Sequence, residues 1–261
     1  MDFATMMALE PYGDDSWVGT GPQYPWGGLY GGQIVAQGLW AAVATVDPAF
    51  QVNSVHASFI RSGSHTEKIL FEVDRVRDGR SFCNRRVVAR QPVGAILTMT
   101  ASFHVDEGGD AVQTVRRPAV PHPDELRSDA WTPIFDRRFV PPTGPGSVVA
   151  WMRMEAPVAD DEALQACALA YVSDDLPTDS VVALHPDRDR TDRFHEQFFS
   201  ASLDHAIWFH RPLRADDWHV QSFTCQGLMG SRGVSLGHVF TADGTHAATV
   251  SQEVVVRRKR A

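Results

Sequence analysis

The chain has 261 residues, of which 43% are hydrophobic and 21% are charged, so it holds enough apolar material for one large domain or two fused smaller ones. Its formal net charge of -8 disfavours general binding to nucleic acids, although a local cluster of basic residues could still hold a small phosphorylated ligand. The three cysteines, Cys83, Cys167 and Cys225, are odd in number and far apart, which argues against a disulfide framework or a zinc site and is typical of a reducing compartment.

The ends of the chain suggest neither export nor membrane insertion. Residues 1–15 lack the basic and apolar segments of a secretory signal, and no run approaches the roughly 18 apolar residues of a membrane span. Residues 257–261 are basic, and we interpret them as a solvated tail that ends a strand. Contact with an anionic partner is the alternative.

The first predicted element is a buried helix over residues 31–46, GGQIVAQGLWAAVATV. It carries small and apolar residues on every side and therefore has no polar face to give to water. Four strand-like segments follow, separated by short breaks rich in Gly, Pro and Asp. They are 52–60, 67–77, 81–91 and 95–105. Short turns between long strands are typical of antiparallel pairing, so we expect a meander.

The same order recurs after a polar stretch. Residues 116–157 are rich in Pro, Asp and Arg, and we interpret them as an inter-domain connection with a few local turns. A second apolar helix is predicted over 161–172, DEALQACALAYV, with acidic residues at its start that favour the helix dipole. The strands predicted after it are 202–210, 218–227, 234–242 and 246–257.

The two halves look like copies of one unit. A shift of 150 positions aligns Phe59 with Phe209 and Gly94 with Gly244, and the shared order of helix then meander supports the repeat more strongly than these identities do. A helix that is apolar all round must be wrapped by other structure, which predicts an α+β double hotdog whose two sheets join into one. The expected divisions are an N-terminal hotdog over 1–115, the connection over 116–157 and a C-terminal hotdog over 158–261.

Eight short segments carry a resemblance to a known family. They are GGQIVAQGL (31–39), VHASFIRSG (55–63), DGRSFCNRRVVARQ (78–91), MTASF (99–103), LAYVSD (169–174), SLDHAIWFHRP (202–212), GSRG (230–233) and VSQEVVVR (250–257). In this order and spacing they resemble the acyl-CoA thioesterase II family, often called TesB-like, over almost the whole chain. The resemblance implies hydrolysis of acyl-CoA to a free fatty acid and CoA, without a metal or organic cofactor.

The resemblance also implies three residues that hold one water molecule. The LAYVSD segment places the family's Asp at Asp174, SLDH places its hydroxyl at Ser202, and VSQE places its Gln at Gln252. Many members have Thr where this chain has Ser202, but both side chains supply a hydroxyl that donates and accepts. We expect the second half to carry the chemistry, because the counterpart of Gln252 in the first half is Ser102.

These residue types suit thioester hydrolysis. A carboxylate can accept a proton from water, and a hydroxyl and an amide can orient that water, as long as the developing oxyanion is also stabilised. The backbone at Gly31 and Gly32, which open the first predicted helix, is a hypothetical donor to the carbonyl. The GVSLG segment at 233–237 matches GxSxG, but it lies at the start of a predicted strand and not at the strand-to-helix turn of a nucleophile elbow, so a covalent serine route has no support.

Three arginines are candidates for contact with the CoA phosphates. They are Arg85 and Arg86 near the DGRSF turn and Arg232 in GSRG. The alternative for each is an outward strand position with a solvated charge. His205 and His210 flank Trp208-Phe209 without a metal-binding spacing, so we expect structural histidines bonded to the backbone and no metal site.

Two other functions remain open from the sequence. An enoyl-CoA hydratase would need a paired Asp and His, which Asp204-His205 imitates, although adjacent strand residues point to opposite faces. A non-catalytic acyl-CoA-binding module would keep the substrate tunnel and lose the site. We also expect a homo-oligomer from the resemblance, and cytosol by default because the C-terminus has no SKL-like address.

Overall fold

The computed structural model of the protein describes residues 1–188 and 194–259, so Arg260 and Ala261 of the basic C-terminal segment lie outside the described residues. In the first half, a short helix and two strands precede the predicted apolar helix and four strands follow it. The elements are α1 Phe3–Met7, β1 Glu10–Gly13, β2 Ser16–Gly19, α2 Gly31–Val43, β3 Phe50–Phe59, β4 Ile69–Asp78, β5 Phe82–Gln91 and β6 Gly94–Val105.

The second half repeats this order with three additional elements between its apolar helix and its meander: a second long helix, a short helix and a short strand. A 3-10 turn at Pro123–Glu125 comes first. The remaining elements are β7 Phe135–Phe139, β8 Ser147–Met154, α3 Glu162–Ser173, α4 Asp175–Leu184, α5 Phe194–Gln197, β9 Phe198–Ser202, β10 Asp204–Phe209, β11 His219–Met229, β12 Arg232–Thr241 and β13 His246–Arg258.

The strands of the described residues form one antiparallel 13-stranded sheet. Its order is β1-β2-β4-β5-β6-β3-β10-β13-β12-β11-β8-β7, with β9 paired to β13. The halves meet where β3 pairs with β10, for example at Ala57 and His205. The pairing of β4 with β5 corresponds to that of β11 with β12: Leu70 pairs with Arg90, and 150 positions later Val220 pairs with Phe240.

The two apolar helices pack against each other and against the sheet, which explains why neither has a polar face. Their contact is close at the start of α2. A Cβ at Gly32 would lie 2.2 Å from the backbone oxygen of Tyr171, so only glycine fits there. The N-terminus of α2 is thereby held against the last turn of α3.

The structure differs from the sequence-based interpretation between the halves. Residues 116–157 are more than a connection with local turns, because they contain β7 and β8, and β8 pairs with β11 of the second meander. The second hotdog therefore begins before residue 158. Among the described residues, no helix has the length and apolar character needed to cross a membrane.

Candidate active site

Asp174 lies at a break between two helices. It is the single residue between α3 and α4. The break has a local cause in Pro177, which lacks a backbone N–H and whose ring would clash with the carbonyl of Ser173 if the helix continued. The carboxylate is consequently displayed at the end of α3, facing the start of α2.

The three residues that the resemblance picked out meet in space. Ser202, the last residue of β9, donates from Oγ to Asp174 Oδ1 over 2.9 Å. Gln252, in the middle of β13, donates from Nε2 to Ser202 Oγ over 2.8 Å. Residues far apart in sequence thus form one connected hydrogen-bond chain that ends on a carboxylate.

The first half also contributes to this cluster. The backbone N–H of Gly32, in the first turn of α2, donates to Asp174 Oδ2 over 2.8 Å. This bond does not fit the hypothesis that the backbone at Gly31 and Gly32 polarises a substrate carbonyl, because the Gly32 N–H is bonded to the Asp174 carboxylate. A Cβ at Gly31 would lie 2.6 Å from the same oxygen, so glycine permits the close approach.

Burial dominates the electrostatics of Asp174. The residue is 4% exposed, and its desolvation raises the pKa to about 7. The hydrogen bonds from Ser202 and Gly32 favour the ionised form and lower the pKa, while the charge of Asp175 raises it. A carboxyl group with a pKa near neutrality can both take and return a proton at working pH.

A histidine that sequence reasoning treated as structural lies directly behind the cluster. His205 is fully buried on β10, with Nδ1 2.6 Å from Gln252 Oε1 and Nε2 3.0 Å from Ser173 Oγ. The prediction of bonds to the backbone was wrong, because both partners are side chains. Burial lowers the pKa of His205 to about 4, so the ring is neutral near pH 7.

Aromatic residues enclose the carboxylate on the side of α2. Tyr30, which precedes α2, packs edge-on against Tyr171 and Trp131. Its hydroxyl is buried and has no hydrogen-bond partner among the described residues. Burial and the nearby charge of Asp174 keep the pKa of Tyr30 well above its ordinary value, so the hydroxyl remains a donor.

The predicted phosphate-binding arginines have different surroundings. Arg85 is 2% exposed, and its guanidinium donates to Thr45 Oγ1 over 2.7 Å and to Asp78 Oδ1 over 2.6 Å. It also donates to the Thr45 carbonyl, just beyond the end of α2. The structure therefore does not support Arg85 as a phosphate contact, because its donors are engaged inside the protein.

Arg86 and Arg232 remain accessible. Arg86 pairs with Asp74 over 2.6 Å, and Arg232 pairs with Glu253 over 2.9 Å, with both guanidinium groups largely exposed.

The Asp-His pair of the hydratase alternative points to opposite faces of its strand. Asp204 is exposed and accepts from the backbone N–H of Glu253, whereas His205 faces the interior. In the described part of the chain, no group of three or more His, Cys, Asp or Glu residues is arranged to hold a metal ion.

Two family models match the chain. The model of the acyl-CoA thioesterase N-terminal domain matches residues 20–104, and that of the acyl-CoA thioesterase C-terminal domain matches residues 97–256. Among curated proteins, acyl-coenzyme A thioesterase 8 of Homo sapiens is 30% identical over 98% of this chain and 88% of its own length. Acyl-CoA thioesterase 2 of Haemophilus influenzae is also 30% identical, over 88% of this chain and 87% of its own.

Solved structures agree with these relatives. The acyl-CoA thioesterase II TesB2 of Mycobacterium marinum is 35% identical with a TM-score of 0.85, covering 98% of this chain and 97% of that one. A hot dog protein from Alicyclobacillus acidocaldarius, 19% identical, shares the fold with a TM-score of 0.82 over 99% and 98% of the two chains. The predicted double hotdog is thus confirmed, and the chain belongs to the TesB-like acyl-CoA thioesterase II family of thioester hydrolases.

Proposed function

We propose that this chain hydrolyses acyl-CoA to a free carboxylic acid and CoA with a water molecule held by Asp174, Ser202 and Gln252. The observation that carries the proposal is the buried hydrogen-bond chain that ends on Asp174. Relatives named as acyl-CoA thioesterases support the substrate class.

The proposed reaction needs one base and no covalent bond between the enzyme and the substrate. Asp174 takes a proton from water as the water oxygen bonds to the thioester carbonyl carbon. The tetrahedral intermediate then collapses, the C–S bond breaks, and the proton held by Asp174 passes to the departing CoA sulfur. Ser202 and Gln252 restrict the orientation of the water, which lowers the entropy cost of reaching the transition state.

The two halves have different roles in this proposal. The second half supplies the three side chains, and the first half supplies the Gly32 N–H and one wall of the site. The shift of 150 positions places Val52 where the second half has Ser202, and the strand pairing places Ala101, one residue before the expected Ser102, where it has Gln252. We therefore propose one working site per chain, with the side chains that perform the chemistry lying within 158–261.

Assembly and location are further parts of the proposal. We propose a homo-oligomer, which is supported by large apolar side chains exposed on β10 and β12, namely Trp208, Val234 and Leu236. Light scattering coupled to size exclusion tests it, and a monomer would refute it. We propose the cytoplasm as the location, which is supported by three free cysteines, Cys83, Cys167 and Cys225.

One assay tests the activity and separates it from the two alternatives. The protein is incubated with acyl-CoAs of graded chain length, and free CoA is followed with a chromogenic thiol reagent. We expect CoA release from the wild type and a loss of about 100-fold or more in kcat for Asp174→Asn and Gln252→Ala. Near-normal turnover by Gln252→Ala would show that the site is assigned wrongly.

The alternatives have their own signatures in this assay. Loss of the enoyl absorbance without CoA release would indicate a hydratase. Binding without either change would indicate an acyl-CoA-binding module.

A further inference from the structure

The buried hydrogen-bond chain extends beyond the three residues of the proposed site. From the carboxylate inward it runs Asp174, Ser202, Gln252, His205 and Ser173. Because Ser173 immediately precedes Asp174, the chain returns to the end of α3 and closes a loop of side chains around β13 and β10. Each side chain in the loop therefore limits the orientation of the next.

The chemistry of the donors fixes the direction of every bond in this loop. A Gln amide donates from nitrogen and accepts at oxygen, so Nε2 facing Ser202 leaves Oε1 facing His205. An oxygen that only accepts requires a proton on His205 Nδ1. The neutral ring then has a bare Nε2 that can only accept, and the Ser173 hydroxyl donates to it over 3.0 Å in preference to the Ala170 carbonyl, which lies 3.4 Å away.

The orientation of the Gln252 amide in turn determines what Ser202 does. While Gln252 donates to Ser202 Oγ, the single hydroxyl proton of Ser202 is directed to Asp174. If the amide turned over, its oxygen would compete with the carboxylate for that proton. Asp174 would then lose a hydrogen bond that stabilises its ionised form.

We propose that His205 is a positioning residue that locks the amide of Gln252 in its productive orientation through the Nδ1–H donor. The proposal rests on the function proposed above for Asp174, Ser202 and Gln252. His205 acts through Gln252 and touches no reacting atom.

The internal repeat supports this assignment independently. A shift of 150 positions replaces Ser202 and His205 with Val52 and Val55. The pairing of the strands places Ala101 where the second half has Gln252, because Ser235 pairs with Gln252 and its counterpart Arg85 pairs with Ala101. The histidine is therefore present in the half that has the Gln and absent from the half that lacks it. A histidine needed only for packing in β10 would have no reason to follow the Gln.

Two substitutions separate the ring nitrogens. The Asn amide nitrogen can take the place of Nδ1, so His205→Asn keeps the donor to Gln252 and loses the contact to Ser173. The Gln amide nitrogen reaches the place of Nε2, so His205→Gln loses the donor to Gln252. Matched controls are His219→Asn and His219→Gln, since His219 is 1% exposed and burial also lowers its pKa to about 4, but its partners are Asp217 O and Gln221.

We expect His205→Asn to keep kcat within a few-fold of the wild type and His205→Gln to lower kcat by roughly 100-fold with little change in KM, as for a misplaced catalytic group. The acid limb of the kcat–pH profile should move to higher pH in His205→Gln and stay in place in His205→Asn. The groups that set this limb are Asp174 itself, which burial desolvates, its hydrogen-bond partners Ser202, the Gly32 N–H and Gln252, and the charge of Asp175. Neither His219 variant should move it.

A measurement that needs no turnover completes the test. In 15N-histidine NMR spectra of the whole protein at pH 7, His205 should show the Nδ1–H tautomer, and the Nε2–H tautomer would overturn the proposal. Wild-type kcat and an unmoved acid limb in His205→Gln would overturn it too, as would equal losses in the Asn and Gln variants. If the wild type is active and Gln252→Ala is impaired while His205→Gln is not, only the role of His205 fails; if the wild type releases no CoA, the proposed function fails with it.

Discussion

Asp174→Asn should remove the activity, and its stability should rise relative to that of the wild type as the pH increases from 5 to 8. The carboxyl group has a pKa of about 7 in the folded protein against an ordinary value of 3.8. The folded state binds this proton more tightly than the unfolded chain does. Protonation of Asp174 therefore adds its full contribution to the free energy of unfolding below about pH 4, and this contribution is lost as the pH rises through 7. Three pKa units correspond to about 4 kcal/mol in the free energy of unfolding.

An uncharged Asn removes this pH-dependent loss but gives up part of the hydrogen bonding. Asn has one oxygen to accept from both Ser202 and Gly32, which costs about 1–3 kcal/mol at every pH. We therefore expect Asp174→Asn to be near or below the wild type in stability at pH 5. The free energy of unfolding of the variant, relative to that of the wild type, should increase by about 2–3 kcal/mol between pH 5 and pH 8.

Urea unfolding at pH 5, 6, 7 and 8 measures this difference directly. Burial also raises the pKa of Asp179, but both proteins contain this residue, so its contribution to the pH dependence cancels in the comparison. Asp110→Asn, at an exposed position, is the control and should show no comparable trend with pH. A stability difference between wild type and Asp174→Asn that stays constant from pH 5 to pH 8 would refute the raised pKa and with it the neutral-pH base.

Three further outcomes follow from the same surroundings. The kcat of the wild type should rise with pH through about 7 and then level off, because Asp174 must be ionised to accept a proton; a flat profile from pH 5 to 8 contradicts this. Tyr30→Phe should raise the free energy of unfolding by about 1 kcal/mol, because it removes a buried hydroxyl that has no partner among the described residues. Tyr24→Phe is the control and should lower the free energy of unfolding, because it removes a hydrogen bond to Tyr171. Arg232→Ala and Arg86→Ala should each raise KM for acyl-CoA about tenfold, or ~1.4 kcal/mol. KM for an acyl-N-acetylcysteamine should not change, because that thioester has no phosphate. Equal effects on both substrates would exclude a phosphate contact.

Periodic patterns predicted the parts of the fold whose burial is simple. The helices α2 and α3 and the eight strands of the two meanders have apolar faces that can be seen in any short window. Strand β7 was missed because its sequence, FDRRF, looks polar. Asp136 and Arg137 are nonetheless buried, since Arg137 pairs with Asp175 and Asp179 of α4, a helix that was not predicted either.

The candidate site also contains residues that the sequence predicted and residues that it did not. The resemblance supplied Asp174, Ser202 and Gln252, and the fold brings them together. His205 was interpreted as a structural histidine and Tyr30 was not singled out, because the role of each depends on the side chains that face it. Alternation in β10 could have placed His205 on the inward side with Ile207, but only the register of β13 shows that Gln252 lies opposite.

The covalent link between the halves has an evolutionary consequence. Two identical subunits must place the same residue at both related positions, so neither position can change alone. In this chain Arg85 and Ser235 occupy corresponding places 150 positions apart: the arginine is bonded to Thr45 beyond α2, whereas the serine is bonded to Ser180 of α4. Within one chain the two copies are free of this constraint, and the second has a helix after Asp174, α4, that has no counterpart after α2 in the described residues of the first.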